Sequence, residues 1–478
     1  MTSIKQQTLD SAKWNFLDRI AGQGIQFILG IIIARFLHPS DYGAVGILAI
    51  FFAISQTFID SGFSSALIRK KKPSEEDFST TFYFNLAISI VVYVILFLIA
   101  PWVAEFFNIP ILCLVMRVQS VTLIINAIMA VQVAMLNIKL DFKSLAKRNI
   151  VATLISGGAG IALAYLGYGI WALVYQQIIA ALISLIFIGI VCKWYPKTKF
   201  NMQSFKELGA FGSRLLASSL LNTIYIHLTT FAIGKFYTAK DLGFYTRGSQ
   251  YAHVPNSAIN GVLGTVTYPI LAQIQDDEER LISVYRKYIK ITSLCIFIFS
   301  GILCALAKPI ILLTLTDKWA NAIIFLHAFA FSYAFDHLNT INLNLLKVKG
   351  RSDLFLQLEI IKKIIAVAIL FISIPFGVLA ICLSKLLYNQ IAVFINTYYT
   401  GKLFHLGYLQ QIKDIFPFLL CSFLACLPAY AITNFNMPHI VTIILGTGVS
   451  LSLYWLMLRK NPNMIELIEL FYKKIKGA

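Results

Sequence analysis

The sequence predicts an all-α integral membrane protein with about fourteen transmembrane helices, within a range of twelve to fourteen. Composition is the first reason: 58% of the 478 residues are apolar, 13% are charged, and mean hydropathy is +0.76. A soluble domain carries about 45–50% apolar and about 25% charged residues. The second reason is distribution, because the apolar residues come in runs of about twenty, long enough to cross the ~30 Å hydrocarbon layer as helices. Third, Lys and Arg gather in the short polar loops between those runs, as charges that set membrane orientation do. The same clustering turns the net charge of +18 away from nucleic acid, since no extended basic face or stacking module accompanies it.

In chain order the runs fall at 12–34, 43–67, 79–104, 111–137, 149–167, 170–191, 209–234, 242–271, 290–314, 319–346, 354–374, 377–400, 413–434 and 438–458. The first follows a polar start and leads straight into the second, so it reads as a retained span and not as a cleaved signal. Asp41 and Asp241 sit at the starts of the second and eighth runs, where a carboxylate caps helix N–H groups. The eighth run is unlike the rest: Tyr245-Thr-Arg-Gly-Ser-Gln-Tyr-Ala-His-Val-Pro-Asn256 has no lipid-compatible face. It either lines a hydrated cavity or lies outside the bilayer, and Pro255 offers a kink and a hinge. Asn463 to Lys476 is too short to span; it reads as an interfacial amphipathic helix or as a solvated tail.

Orientation follows from the loops. One alternating set holds Lys5, Lys13, Arg69 to Lys72, Lys139 to Arg148, Lys193 to Lys206, Arg280 to Lys290, Lys347 to Arg351, Lys402, Lys413 and the tail from Arg459. The other holds only Arg35, Lys235, Lys240, Lys308 and Lys318. Both termini are therefore expected on the cytoplasmic side. The external connections, such as Leu166 to Gly169 and Asn434 to Pro438, leave no room for a large outer domain.

An internal repeat recurs at an offset of 200 residues: Ile33-Ala-Arg-Phe36 with Asp41-Tyr-Gly43 against Ile233-Gly-Lys-Phe236 with Asp241-Leu-Gly243. A second echo pairs Gly167-Tyr-Gly-Ile-Trp-Ala172 with Pro375-Phe-Gly-Val-Leu-Ala380. Six spans separate the copies, so both keep one orientation. The expected organisation is a six-helix bundle over 1–200, a second over 201–405, two additional helices over 406–460 and a cytoplasmic tail over 461–478.

Charges inside spans are expensive and mark candidate sites. Asp18, Arg19, Asp60, Arg117, Arg214, Arg247 and Lys385 are the ones read here, five basic to two acidic, so a cavity they lined would favour an anion. Arg117 and Lys385 lie near span ends where they can also snorkel, while Asp18 and Arg19 can pair locally. The sequence holds no GxxxxGK[ST] nucleotide loop, no GxSxG elbow, no metal-ligand spacing and no CxxC pair among its 7 cysteines, so no cofactor or metal is expected.

Several motifs together resemble a known family. Ala34-Arg-Phe-Leu-His-Pro-Ser-Asp-Tyr-Gly43, Asp60-Ser-Gly-Phe-Ser-Ser-Ala-Leu67, Leu140-Asp-Phe-Lys-Ser-Leu-Ala146, Gly167-Tyr-Gly-Ile-Trp-Ala-Leu173, Leu242-Gly-Phe-Tyr245, Asp317-Lys-Trp319 and Lys349-Gly-Arg351 are similar, in order, to segments of Wzx-type polysaccharide exporters, in the branch of the colanic acid exporter. These belong to the multidrug/oligosaccharidyl-lipid/polysaccharide exporter superfamily. The resemblance implies two six-helix bundles around a central cavity in the bacterial inner membrane. It implies a flippase for an undecaprenyl-diphosphate-linked oligosaccharide used in O-antigen or exopolysaccharide synthesis, with a polysaccharide polymerase and chain-length regulator as partners. By that resemblance Arg19, Arg214 and Arg247 would hold the diphosphate; read from their own charge or position, Arg117 and Lys385 are further substrate-binding candidates, and Asp18, Asp60 and Pro255 are candidates for ion coupling or gating. Thr229 and Thr230 depart from the pattern where relatives often carry an acid, which leaves ion coupling without its usual group. The competing readings are a MATE-like exporter of small molecules, which needs an acidic cavity, and a membrane glycosyltransferase or polymerase, which needs a sizeable outer loop.

Overall fold

The computed structural model describes Trp14, residues 22–60 and residues 62–476, with side chains left out at Asp60, Arg214, Ala258, 262–266, Ser352 and 470–476. Among the described residues the chain is helical, without strands. In order the helices are α1 (Gly22–Phe36), α2 (Pro39–Asp60), α3 (Phe63–Arg69), α4 (Glu75–Phe106), α5 (Ile111–Gln119), α6 (Val121–Ile138), α7 (Phe142–Tyr165), α8 (Ile170–Cys192), α9 (Met202–Phe236) and α10 (Ala239–Gln273). There follow α11 (Glu278–Ala305), α12 (Ala307–Leu315), α13 (Ala322–Tyr333), α14 (Asp336–Val348), α15 (Ser352–Ser373), α16 (Val378–Phe404), α17 (Tyr408–Ile432), α18 (His439–Leu458) and α19 (Pro462–Lys476). Every predicted span overlaps one of these, and 9 helices among the described residues are long and apolar enough to cross a membrane. The protein is therefore a multi-pass membrane protein.

Four of the expected spans are broken. The run 43–67 divides at Gly62 into α2 and α3, 111–137 divides at Ser120 into α5 and α6, 290–314 divides at Leu306 into α11 and α12, and 319–346 divides at Ala334 and Phe335 into α13 and α14. The last break is fixed by chemistry as well as geometry. His337, fully buried, shares a hydrogen bond with Ser293 Oγ at 2.7 Å and another with the Ala334 carbonyl at 3.0 Å.

Polar caps start several helices where hydrophobic periodicity says little. Ser74 and Asp77 form a reciprocal capping box at α4, while Asp141, Asn201 and Asp277 accept the first free N–H groups of α7, α9 and α11. Asp41 and Asp241 stand not at the caps but at the third helical position, from which their carboxylates reach back to accept the backbone N–H of His38 at 2.9 Å and of Thr238 at 3.3 Å.

The chain forms two compact units, Met1–Gly243 and Phe244–Ala478. In the first, α2 packs on α9, α4 and α6, and α7 packs on α8. The repeat motif has a physical reason here. A Cβ on Gly43 would collide with the Ala239 carbonyl, and one on Gly243 with the Pro39 carbonyl, so the starts of α2 and α10 meet backbone to backbone. The second echo has one too: Gly169 (φ +56) and Gly377 (φ +101) both turn the chain into the next helix through a conformation that L side chains resist. In the second unit, α11 packs on α17, and the core runs through Tyr285, Phe297, Leu338 and Phe418. The tail helix α19 docks on α11: Met464 is buried, Leu467 packs on the core, and Glu466 pairs with Lys287. Of the two readings of the tail, a purely solvated segment is thus set aside.

Candidate functional site

The second unit gathers polar side chains from four helices, α10, α13, α14 and α16, at the break between α13 and α14. From α10, Ser249 Oγ shares a hydrogen bond with Tyr333 Oη at 2.9 Å, and the His253 ring lies edge-on to Tyr333 at 5.6 Å. One turn on, Asn256 Nδ2 donates to Asp336 Oδ2 at 3.2 Å and Asn260 Nδ2 donates to Asn256 Oδ1 at 2.9 Å. From α16, Asn389 Nδ2 donates to Asp336 Oδ1 at 2.9 Å and to Ser332 Oγ at 2.9 Å. Lys385, one turn before it, donates to Tyr333 Oη at 3.3 Å and lies over the Phe329 and Tyr333 rings at 5.3 and 5.2 Å.

Backbone geometry brings these elements close. Gly248 lets α10 settle against α13, since a Cβ there would stand 2.6 Å from Phe325 Cβ. Tyr245 then wedges between Phe325 and Phe329 at 6.1 and 5.0 Å, edge to face. Asp336 is the first residue of α14, where the helix N-terminus favours negative charge. Its carboxylate is held by two amides, and among the described residues neither Asp336 nor Lys385 belongs to a direct ion pair. Lys385 is half-buried, and its ammonium spends one of three donors on Tyr333. The cluster thus pairs a fixed carboxylate with a cation that has capacity to bind an anion.

The polarity of the eighth run is explained by this cluster. Ser249 and Asn256 bond neighbouring helices of the same unit, a use that neither of the two sequence readings included. Tyr251 adds a bond to Thr314 Oγ1 at 2.7 Å. Arg247 is buried and donates to Gln250 Oε1 at 2.5 Å. Pro255 sits inside α10, which continues through it.

The other predicted residues fall elsewhere. Arg117, on α5 in the first unit, donates to the Phe97 carbonyl at 3.2 Å and stacks over the Phe97 ring at 4.2 Å. Asp18 and Arg19 lie outside the described residues, as do the side chains of Asp60 and Arg214. The five-to-two charge count is incomplete: Asp336 stands in 319–346, and Glu359, Lys362 and Lys363 stand in 354–374. Asp336 was visible as a carboxylate in mid-span. Asn389 and Tyr333 carried no signal of their own, because neutral polar residues are common in helices. On α15 the buried Lys362 bonds Glu359 at 2.5 Å.

Two cavities of similar size lie in different units. One of about 500 Å³, lined mostly by apolar side chains of α11, α13 and α17 such as Phe297, Phe331, Leu419 and Phe423, suits hydrocarbon. The other, in the first unit, is polar and holds about 480 Å³.

The sequence model of a family described as polysaccharide biosynthesis protein matches residues 32–324, which include all the family-like motifs above except Lys349-Gly-Arg351. The chain is 25% identical over 309 residues to the succinoglycan biosynthesis transport protein ExoT of Rhizobium meliloti (strain 1021), covering 65% of this chain and 63% of that protein, just under two thirds of its length. It is 25% identical over 356 residues to the teichuronic acid biosynthesis protein TuaB of Bacillus subtilis (strain 168), 74% of each. Among solved structures, the lipid II flippase MurJ in an inward closed conformation matches with TM-score 0.74 at 15% identity, over 95% of this chain and 99% of that one. That likeness fixes the fold.

Proposed function

Because the chain belongs to the polysaccharide biosynthesis protein family, we propose that it flips an undecaprenyl-diphosphate-linked oligosaccharide from the inner to the outer leaflet of the bacterial cytoplasmic membrane by alternating access. It is a transporter and not an enzyme, as the family match, the transport protein among its relatives and the flippase-like fold support. The observation that carries the proposal is Lys385, a cation with unspent donors held on aromatic faces inside a bilayer-spanning unit.

A bare diphosphate in hydrocarbon costs tens of kcal/mol by idealised Born estimates. A fixed ammonium offsets part of that cost, and a guanidinium such as that of Arg247 matches phosphate oxygens in bidentate fashion. The prenyl tail stays in lipid while the head group moves. In this reading Arg19 and Arg214 join Arg247 on the diphosphate, Arg117 and Lys385 contribute binding charge, and Asp18, Asp60 and Pro255 serve coupling or gating. The repeat units 1–200 and 201–405 rock against each other, both termini face the cytoplasm, and a polymerase with its chain-length regulator receives the product. A cationic small-molecule cargo is disfavoured because it would meet the Lys385 ammonium.

The test is complementation of a flippase-null strain with Lys385→Gln and Arg247→Gln at matched protein levels. Loss of surface polymer is expected from both. Wild-type polymer from both would overturn the assignment.

A further inference from the structure

Lys385 and Asp336 stand side by side in the second unit. On α16, Lys385 and Asn389 are one turn apart; across the break between α13 and α14, so are Tyr333 and Asp336. Lys385 bonds Tyr333 at 3.3 Å and Asn389 bonds Asp336 at 2.9 Å. The two bonds tie the helices together in step and set the ammonium next to the carboxylate. Among the described residues that ammonium is the charge that acts on Asp336 through space, yet the two form no direct ion pair. The surrounding helices carry other titratable groups. On α10, His253 and Tyr245 meet aromatic rings and Arg247 bonds Gln250. On α11, Tyr285 bonds Asn342, and Ser293 holds His337 of α14 itself. On α15, Lys362 bonds Glu359, with Lys363 next in sequence, and α16 adds Cys382 and Tyr388. Among the described residues only Asn256 and Asn389 bond the Asp336 carboxylate.

These partners suit both states of the carboxyl. When it is ionised, two amide N–H groups and the N-terminus of α14 stabilise the negative charge. When it is protonated it needs an acceptor, and a terminal amide turned through half a rotation offers oxygen where it offered N–H. The chain Asn260, Asn256, Asp336 can reverse in this way, as can Asn389 with the Ser332 hydroxyl behind it, because each of these groups both donates and accepts. An ammonium bonded directly to the carboxylate would instead lock the ionised form. An anion arriving on Lys385 brings negative charge beside an existing carboxylate, and like charges held close in a buried site disfavour ionisation of one of them. We propose that Asp336 takes up a proton when the head-group anion binds Lys385, so that anion and proton load together. The inference rests on the flippase reading and deepens it, naming the group that compensates the charge of the cargo. Water supplies the proton, and Asp336 gives it back when the anion leaves. Linkage makes the effect reciprocal: uptake on binding means tighter binding as pH falls.

The experiment uses the full chain in nanodiscs and a farnesyl glucosyl diphosphate diester, whose phosphate groups stay ionised across the range tested. Calorimetry in buffers of different ionisation heat counts the protons taken up with each anion. Wild type is expected to take up at least about 0.3 proton per anion between pH 6 and 8, and to bind at least about threefold more tightly at pH 6 than at pH 8. Asp336→Asn, nearly isosteric, is expected to bind the diester with neither uptake nor pH dependence. Uptake that persists in Asp336→Asn overturns the proposal, as does uptake lost in His253→Gln and kept in Asp336→Asn, which assigns the proton to the imidazole. If Asp336→Asn fails to elute as a folded protein, infrared difference spectra of wild type and Asp336→Glu decide. A carboxylic-acid band that appears with the diester and shifts in Asp336→Glu is expected, and its absence overturns the proposal. The two readings fail separately. Unchanged binding by Lys385→Gln sinks the head-group site, whereas binding that Lys385→Gln abolishes but that takes up no proton in wild type sinks the role of Asp336 alone.

Discussion

Helices α2 and α10 enter through the same turn, each with an Asp carboxylate on a backbone N–H and a glycine pressed on the other's backbone. Past that turn they part. The α2 segment has a mean hydropathy of 1.8 and qualifies as a membrane span, whereas α10 is not among the candidate spans. On α2 the polar side chains are few: Gln56 meets Asn126, and Thr57 shares a bond with Thr223 at 3.0 Å. On α10 they are dense and reach Thr314, Tyr333 and Asp336. The lesson is that repetition preserved the backbone approach, which tolerates only glycine, and left the outward side chains free to diverge into chemistry.

The comparison breaks first at the glycines. Gly43→Leu and Gly243→Leu should each exceed the ~1–3 kcal/mol of ordinary overpacking, because carbonyl groups cannot move aside as side chains do. Aggregated elution on size exclusion is the expected readout, against normal elution for Gly158→Ala, where nothing lies within 4 Å of the added carbon. Monodisperse protein from both leucine variants would show that the shared turn is not what the repeat conserves.

The next effect separates the two helices. Asp336→Leu removes the partner of Asn256 and one partner of Asn389, at about 1–3 kcal/mol for each amide left unsatisfied. Gln56→Leu strands one amide, that of Asn126. The fall in Tm should be larger for Asp336→Leu, and equal shifts would mean that α10's polarity does not hold the second unit together. Single bonds come below that. Ser249→Ala and Thr57→Val each lose one hydroxyl contact, worth about 0.5–1.5 kcal/mol. Similar small Tm shifts are expected from both.

The smallest effect lies outside the membrane. Lys70 bridges Asp77 at 2.9 Å and Glu207 at 3.0 Å, and the Asp77 carboxylate beside it raises its pKa above the ordinary 10.5. A raised value means the contribution is fully present below about pH 10.5 and is lost as pH climbs through the folded value. Lys70→Met should therefore cost about 0–1 kcal/mol at neutral pH. The same Tm difference is expected from pH 6 to 9, narrowing only in strong alkali.

Much of this was readable before folding. Each apolar run overlaps a described helix, Asp41 and Asp241 stand in the first turns of α2 and α10 with their carboxylates on backbone N–H groups, and Lys385 is marked by its charge. Asp336 is equally legible, as a carboxylate in mid-span. Ser332, Tyr333 and Asn389 were not legible, since each is unremarkable until four helices bring the cluster together. The same holds for Ser64, Asn126, Asn137 and Arg148, which are far apart along the chain and share one cavity.

The sequence by itself determined that the chain crosses a bilayer many times, because hydrocarbon admits only long apolar helices, and hydropathy is a local property. It determined the family as well, through ordered short motifs. Only the tertiary structure decided where the helices break, how α10 satisfies its polar side, and that Lys385 stands beside an acid held by amides. Those depend on contacts between distant segments, and no window of neighbouring residues contains them.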